Sequence, residues 1–403
     1  MIQKSERSNH MTDTSATELI GRKPPPPIPV TIITGFLGSG KTTLLNQLLR
    51  DPSLSDTLVI INEFGEIGLD HLLVEKVDGD MLLMSSGCLC CTIRGDLVTT
   101  LEDLLRKRDN NRIKPFQRII IETTGLADPV PVLQTIMMHP YLVLRYRLES
   151  IITLVDVING THTLDTHEEA LKQAAVADRI VLTKSDLLPR TSDTLTHLRM
   201  RLKQINPSAR ILDTQKGEAV AARLLDAALF DPSTKTMNVQ NWLNSEAFSD
   251  DGHDTHHAHD GHTHSHHSHE HDVNRHDQSI RAFCLRSADY IPPQRFELFL
   301  ELLRQAHGPK LLRVKGLIGL SDDPMRPIVI HGVQHVFHPP VRLERWPDAD
   351  TSTRIVFILK DLEPQFVEGL WNAFTGKVEF DRPDGDALSH NPLVASADQG
   401  LLS

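Results

Sequence analysis

Residues 35–42, Gly-Phe-Leu-Gly-Ser-Gly-Lys-Thr, constrain this chain more than any other stretch. They match the phosphate-binding pattern GxxxxGK[ST] at every fixed position. Val30 to Thr34 before them reads as a short buried strand, and Thr43 to Arg50 after them as a helix with one apolar face. Glycine lets the backbone wrap an anion, and the amides at the helix N-terminus then face it. Gly35, Gly38, Ser39, Gly40, Lys41, Thr42 and Thr43 are therefore the candidate phosphate-binding residues. Lys41 is positioned to reach the β- and γ-phosphates and the Thr42 hydroxyl to hold Mg²⁺.

The strands that surround this loop predict a doubly wound parallel α/β sheet. Candidate strands are 30–34, 58–61, 118–121, 151–155 and 179–182, each short and apolar throughout. That is the pattern of parallel strands buried on both faces. Between them lie helical stretches such as 94–108, with Leu97, Leu101, Leu104 and Leu105 on one face. The expected organisation is an N-terminal arm over 1–27, a P-loop domain over 28–230 and a linker over 231–278. A small C-terminal α+β domain over 279–380 and a tail over 381–403 complete it. In that second domain, strands are expected at 279–285, 311–319, 327–331, 333–338 and 354–359. Its helices carry Phe296, Phe299, Leu300 and Leu303, then Phe366, Leu370 and Phe374.

Two further stretches complete a nucleotide site. Arg118 to Ile121 delivers Glu122 to the end of a strand, followed by Thr123-Thr124-Gly125. Ligands bind at such strand ends in open α/β sheets. Glu122 is a candidate to organise Mg²⁺ or the attacking water, and Gly125 to bring its amide to the γ-phosphate. Thr183-Lys184-Ser185-Asp186 follows another strand. Asp186 offers two acceptors to the N1 and N2 donors of guanine, a pair that adenine lacks, while the Lys184 stem lies over the base.

Three of the four cysteines point to metal. Cys88, Cys90 and Cys91 fall within four residues, which suits a soft or borderline ion such as Zn²⁺ or Cu⁺ and makes poor disulfide geometry. Such thiols imply a reducing, cytoplasmic compartment. Cys284, alone on a strand, is expected in the core. Glu63 and Glu66, at the end of the second strand, are candidates to meet either the Mg²⁺ or the thiolate-bound ion. Eleven of the 22 histidines fall between His253 and His276, a stretch with almost no apolar residue. It is expected to be a mobile tract that collects transition metals through its imidazoles. A net charge of −11 argues against nucleic acid as partner, and no apolar run approaches a membrane span.

GFLGSGKTTLLN, NEFGE, GCLCC, IETTGLADP and TKSD, in this order and spacing, resemble the CobW-type metallochaperone GTPases, the zinc-regulated GTPase metalloprotein activators. LLRVKGLIGL (311–320) and HGVQHVFHPP (331–340) resemble that family's C-terminal domain. The resemblance covers roughly residues 28–380. It implies a GTPase in which Cys88, Cys90 and Cys91 hold a transition metal and GTP controls its transfer to a client zinc metalloprotein. It implies that Glu122 is the Walker-B glutamate and is compatible with a nucleotide-dependent homodimer. Thr183 stands where GTPases more often have Asn, yet TKxD also occurs within the family. Ile61 stands where some relatives carry an acidic metal ligand. The implied cargo is Zn²⁺, with Co²⁺ for cobalamin or hydratase maturation as the alternative. Two other classes compete: a metal reservoir that does not hydrolyse GTP, and a small-molecule kinase on the same loop.

Overall fold

The computed structural model describes residues 25–63, 81–85, 93–189, 193–225 and 280–376. Seven parallel strands form the first sheet. They are β1 (Ile28–Gly35), β2 (Thr57–Glu63), β3 (Met81–Ser85), β4 (Arg118–Glu122), β5 (Tyr146–Asp156), β6 (Arg179–Thr183) and β7 (Arg210–Asp213), in the spatial order β3-β2-β4-β1-β5-β6-β7. The helices that connect them are α1 (Lys41–Leu48), α2 (Ile93–Asp109), α3 (Val130–Met138), α4 (Leu142–Arg145), α5 (Gly160–Thr166), α6 (Glu168–Val176), α7 (Thr194–Ile205) and α8 (Ala221–Leu224).

Strand periodicity sorts the side chains into two cores. Val30 and Ile32 join Leu97, Leu101, Leu104 and Leu105 of α2 on one face. Ile33 joins Leu44, Leu45 and Leu48 of α1 on the other. Alternation along a strand demands this division. Chain direction reverses around β1: the connection after it runs to β2 on one side, and β4 is followed by β5 on the other. The carboxyl ends of β1 and β4 therefore open a crevice, the place where open α/β sheets bind ligands.

The second sheet is antiparallel. It comprises β8 (Ile280–Ser287), β9 (Leu311–Ile318), β10 (Ile328–Val333), β11 (Val336–Phe337), β12 (Val341–Arg342) and β13 (Thr353–Lys360). One face carries α9 (Pro293–His307) and α10 (Pro364–Thr375). Phe296, Phe299 and Leu303 of α9 pack on Val314, Ile318 and Phe357 of the sheet. The face of α10 differs from its sequence expectation: Val367 and Trp371 are its buried residues, and Phe366 is 44% exposed. Trp371 sets its ring edge-on to Phe299, with centroids 5.2 Å apart, and this contact fixes the helix rotation. Cys284 also departs from expectation: it lies half-buried on β8, with its thiol pushed up by burial.

Leu312, Val333, Val336 and Ile358 of the second sheet join the core of the first domain. Beside them the rings of His331 and His338 stack with centroids 5.0 Å apart. With Ile136, Met137, Arg147 and Leu148 of the first domain they line a cavity of about 220 Å³. Burial, reinforced by the Arg313 charge, pushes His338 down to about 4 and His331 well below its ordinary value. Unfolded, both protonate near 6.5. The stability they contribute is therefore complete above pH 6.5 and is lost as pH falls toward 4. At pH 5 His338 alone should remove roughly 2 kcal/mol. Melting curves at pH 7 and pH 5 test this: His338→Gln should flatten the difference, and an unchanged difference would refute the assignment.

Candidate nucleotide site

β1 runs into the phosphate loop and α1 leaves it. Gly40 ends the loop with φ 91° and Gly35 begins it with φ 140°, both costly for a residue with a Cβ. At Gly35 space forbids a side chain as well, since a Cβ would lie 2.5 Å from the Leu154 carbonyl oxygen. Gly38 is also left-handed, and Ser39 is buried. Lys41 is 8% exposed, and its Nζ donates to the carbonyls of Gly35 (3.1 Å) and Phe36 (3.3 Å). The ammonium is thus folded back across the concave side of its own loop. Thr42 and Thr43 follow on the first turn of α1.

β4 lies against β1 with Glu122 opposite Ile33. Glu122 is 4% exposed, and its Oε1 accepts a hydrogen bond of 2.8 Å from Thr42 Oγ1. The two residues are 80 positions apart, and the sheet topology brings them together. Both are hard oxygen donors, and that donor set fits Mg²⁺. The loop that follows is tied to β1 by Thr123, whose amide donates to the Ile33 carbonyl and whose hydroxyl donates to Thr34. Gly125 packs on the phosphate loop so closely that a Cβ there would lie 2.6 Å from the Leu37 nitrogen.

β6 brings the third element. Thr183 Oγ1 donates to the Ser39 carbonyl at 2.8 Å, so this strand end buttresses the phosphate loop. Lys184 has φ 60°, and its Nζ pairs with Asp156 Oδ2 at 2.7 Å. Burial pushes Asp156 up, but hydrogen bonds from Lys184, the Ile158 amide and Asn159 outweigh it and hold the carboxyl below its usual range. Asp186 is exposed, and its Oδ1 accepts from Gln215 Nε2 at 2.9 Å.

Gly35 to Thr43, Glu122, Gly125 and Thr183 to Asp186 therefore gather at the carboxyl edge of one sheet. Cys88, Cys90, Cys91, Glu66 and the histidine tract lie outside the described residues. Among the described residues, no group of three His, Cys, Asp or Glu is placed to hold a metal ion. Sequence reasoning missed Asp156 and the buried Gln173. Asp156 had one available signal: like Glu122, it is an acid at the end of an apolar strand.

Comparison with known proteins follows the same lines. Residues 29–213 match the CobW/HypB/UreG nucleotide-binding domain, and residues 280–375 match the cobalamin synthesis protein cobW C-terminal domain. The zinc chaperone YjiA of Escherichia coli is 30% identical over 82% of this chain and 94% of its own length. The zinc chaperone CobW of Pseudomonas aeruginosa is 31% identical over 83% of this chain and 88% of its own. The crystal structure of Zn(II)-bound YjiA GTPase from E. coli superposes with a TM-score of 0.59 at 26% identity, covering 87% of this chain and 99% of that one. With both domains matched in order and the phosphate loop, Glu122 and TKSD elements on one sheet edge, the chain belongs to the CobW family of P-loop proteins.

Proposed function

We propose that this protein is a cytoplasmic GTPase metallochaperone that holds zinc through Cys88, Cys90 and Cys91 and releases it to client metalloproteins under nucleotide control. The observation that carries the hydrolytic half is the Thr42–Glu122 contact of 2.8 Å beside Lys41. A site retaining its cation, its hydroxyl and its strand-end carboxylate has what phosphoryl transfer needs, namely positioning and charge stabilisation. In this reading Thr42 and Glu122 would hold Mg²⁺, which neutralises phosphate charge when bound. Lys41 and the amides of 38–43 orient the phosphates. Gly125 presents its amide to the γ-phosphate. Asp186 reads guanine, and Lys184, anchored by Asp156, covers the base.

The zinc half rests on the thiol spacing and on the names of the relatives, both zinc chaperones. Thiolates bind metal only when deprotonated, and a loop ordered by the γ-phosphate changes which of them converge on one ion. Glu66 joins that loop as a candidate ligand. Zinc titration with GDP, with a non-hydrolysable GTP analogue and without nucleotide tests the reading. Affinity should differ between the GTP-like and GDP states by at least about tenfold, or ~1.4 kcal/mol. Cys90→Ser should remove most of that difference and leave GDP binding intact. Equal affinities would falsify nucleotide control, and absence of phosphate release would favour a simple metal reservoir.

A further inference from the structure

Helix α6 touches three things that the nucleotide site alone does not explain. Just before it, His167 stacks on Phe36 of the phosphate loop, with centroids 4.4 Å apart. In its middle, Gln173 is fully buried, and its Nε2 donates to the carbonyls of Gly125 (3.2 Å) and Ala127 (2.9 Å). At its end, the Val176 carbonyl accepts from Arg313 Nη1 at 2.8 Å. Two residues on, Asp178 pairs with Arg313 and with Lys315 at 2.8 Å. Arg313 and Lys315 belong to β9 of the second domain. A polar side chain in a helix interior usually faces water; Gln173 instead spends its amide on two carbonyls of the loop after β4. Its own backbone carbonyl is held by Thr153 Oγ1 at 2.7 Å, so the helix is pinned to β5 at the same residue.

We propose that Gln173 is a positioning residue for the loop 123–128, and that α6 makes the nucleotide state and the docking of the second domain depend on each other. The proposal rests on the GTPase reading above. Gly125 has no freedom to move independently, because it is packed on Leu37 at one side and bonded to Gln173 at the other. A loop that shifts to meet a γ-phosphate must either break both Gln173 bonds or move α6. Helix α6 itself, Glu168 to Val176, is a rigid element roughly 13 Å long, with the contact to the phosphate loop just before it and the contact to the second domain at its end. Movement of α6 displaces the Val176 carbonyl and the Asp178 carboxylate from under Arg313 and Lys315. Both cations are buried, and neither tolerates losing its acceptors. Linkage then requires that docking of the second domain alter nucleotide affinity by the same factor.

The test uses the full chain. Hydrogen exchange of residues 311–318 is measured with GDP and with a non-hydrolysable GTP analogue, alongside steady-state phosphate release. In the parent protein the analogue should change protection of 311–318 at least about threefold. Gln173→Leu should abolish that change and lower kcat about tenfold, with KM held within about threefold. Gln173→Glu supplies the readout that a packing role cannot move. Its buried carboxyl titrates upward, and only the protonated form donates a hydrogen bond. Its kcat relative to the parent should therefore recover as pH falls from 8 to 6. Equal protection in both nucleotide states of a protein that hydrolyses GTP, or a pH-independent Gln173→Glu ratio, overturns the inference and leaves the functional reading standing. A parent protein without GTP hydrolysis takes both down.

Discussion

Lys41→Ala should lower GTP turnover by about 10²–10³-fold, the loss that follows removal of one aimed charge stabiliser from a transition state. The ammonium is 8% exposed and rests on the carbonyls of Gly35 and Phe36. Those are neutral partners, and an incoming β/γ-phosphate offers a charged acceptor, roughly twice as strong. Transfer from carbonyl to phosphate yields a charge-assisted bond where negative charge accumulates. Lys41→Met keeps most of the stem volume and isolates the charge from the packing. Both variants should melt within a few degrees of the parent, because Leu44, Leu45 and Leu48 hold α1. Near-normal hydrolysis by a folded Lys41→Met protein would remove the phosphate loop from the proposed chemistry.

The residues legible in the sequence are those whose role is local. Gly35 to Thr42 declare themselves because one short segment builds the whole cradle. β1, β2, β4 and β6 were legible because they are apolar on both faces. β5 begins at Tyr146, five residues before the stretch expected from sequence, because Arg147 and Glu149 interrupt its apolar run. Glu149 is nonetheless 5% exposed, accepting from Thr31 Oγ1 at 3.0 Å and pairing with Arg118. β3 and β7 escaped the sequence reading for lack of pattern: β3 has no β-branched residue, and β7 is four residues long. Gln173 and Asp156 were missed for a different reason. Their partners lie 48 and 28 residues away, and only the sheet order brings them together. Metal binding remains a matter of thiol spacing, since Cys88, Cys90 and Cys91 fall outside the described residues.

The contact between the two domains was the least legible and should be the most sensitive to substitution. In sequence, Arg313 and Lys315 look like the polar face of an alternating strand. In the fold that face is covered: Arg313 is 0% exposed, Lys315 2% and Asp178 3%. One carboxylate serves two buried cations and also accepts from the Ile151 amide at 3.0 Å. Burial alone would raise the Asp178 carboxyl; Arg313 and Lys315 pull it far below the usual range. Burial also pulls Lys315 down to about 8, so its charge is marginal even with Asp178 in place. Asp178→Ala leaves the Arg313 charge buried without its carboxylate and should cost about 3–5 kcal/mol. That is a large share of the 5–15 kcal/mol typical of a domain. Urea unfolding of the variant should then show two separate transitions, the second domain releasing first. Asp178→Ala combined with Arg313→Met should recover part of the loss, because a hydrophobic replacement removes the stranded charge. The parent carboxylate is already ionised above its unfolded value near 4, so its contribution is complete there and is lost only as pH falls below that value. A loss under about 1 kcal/mol would mean that water reaches Arg313 and Lys315 and that the two domains part easily.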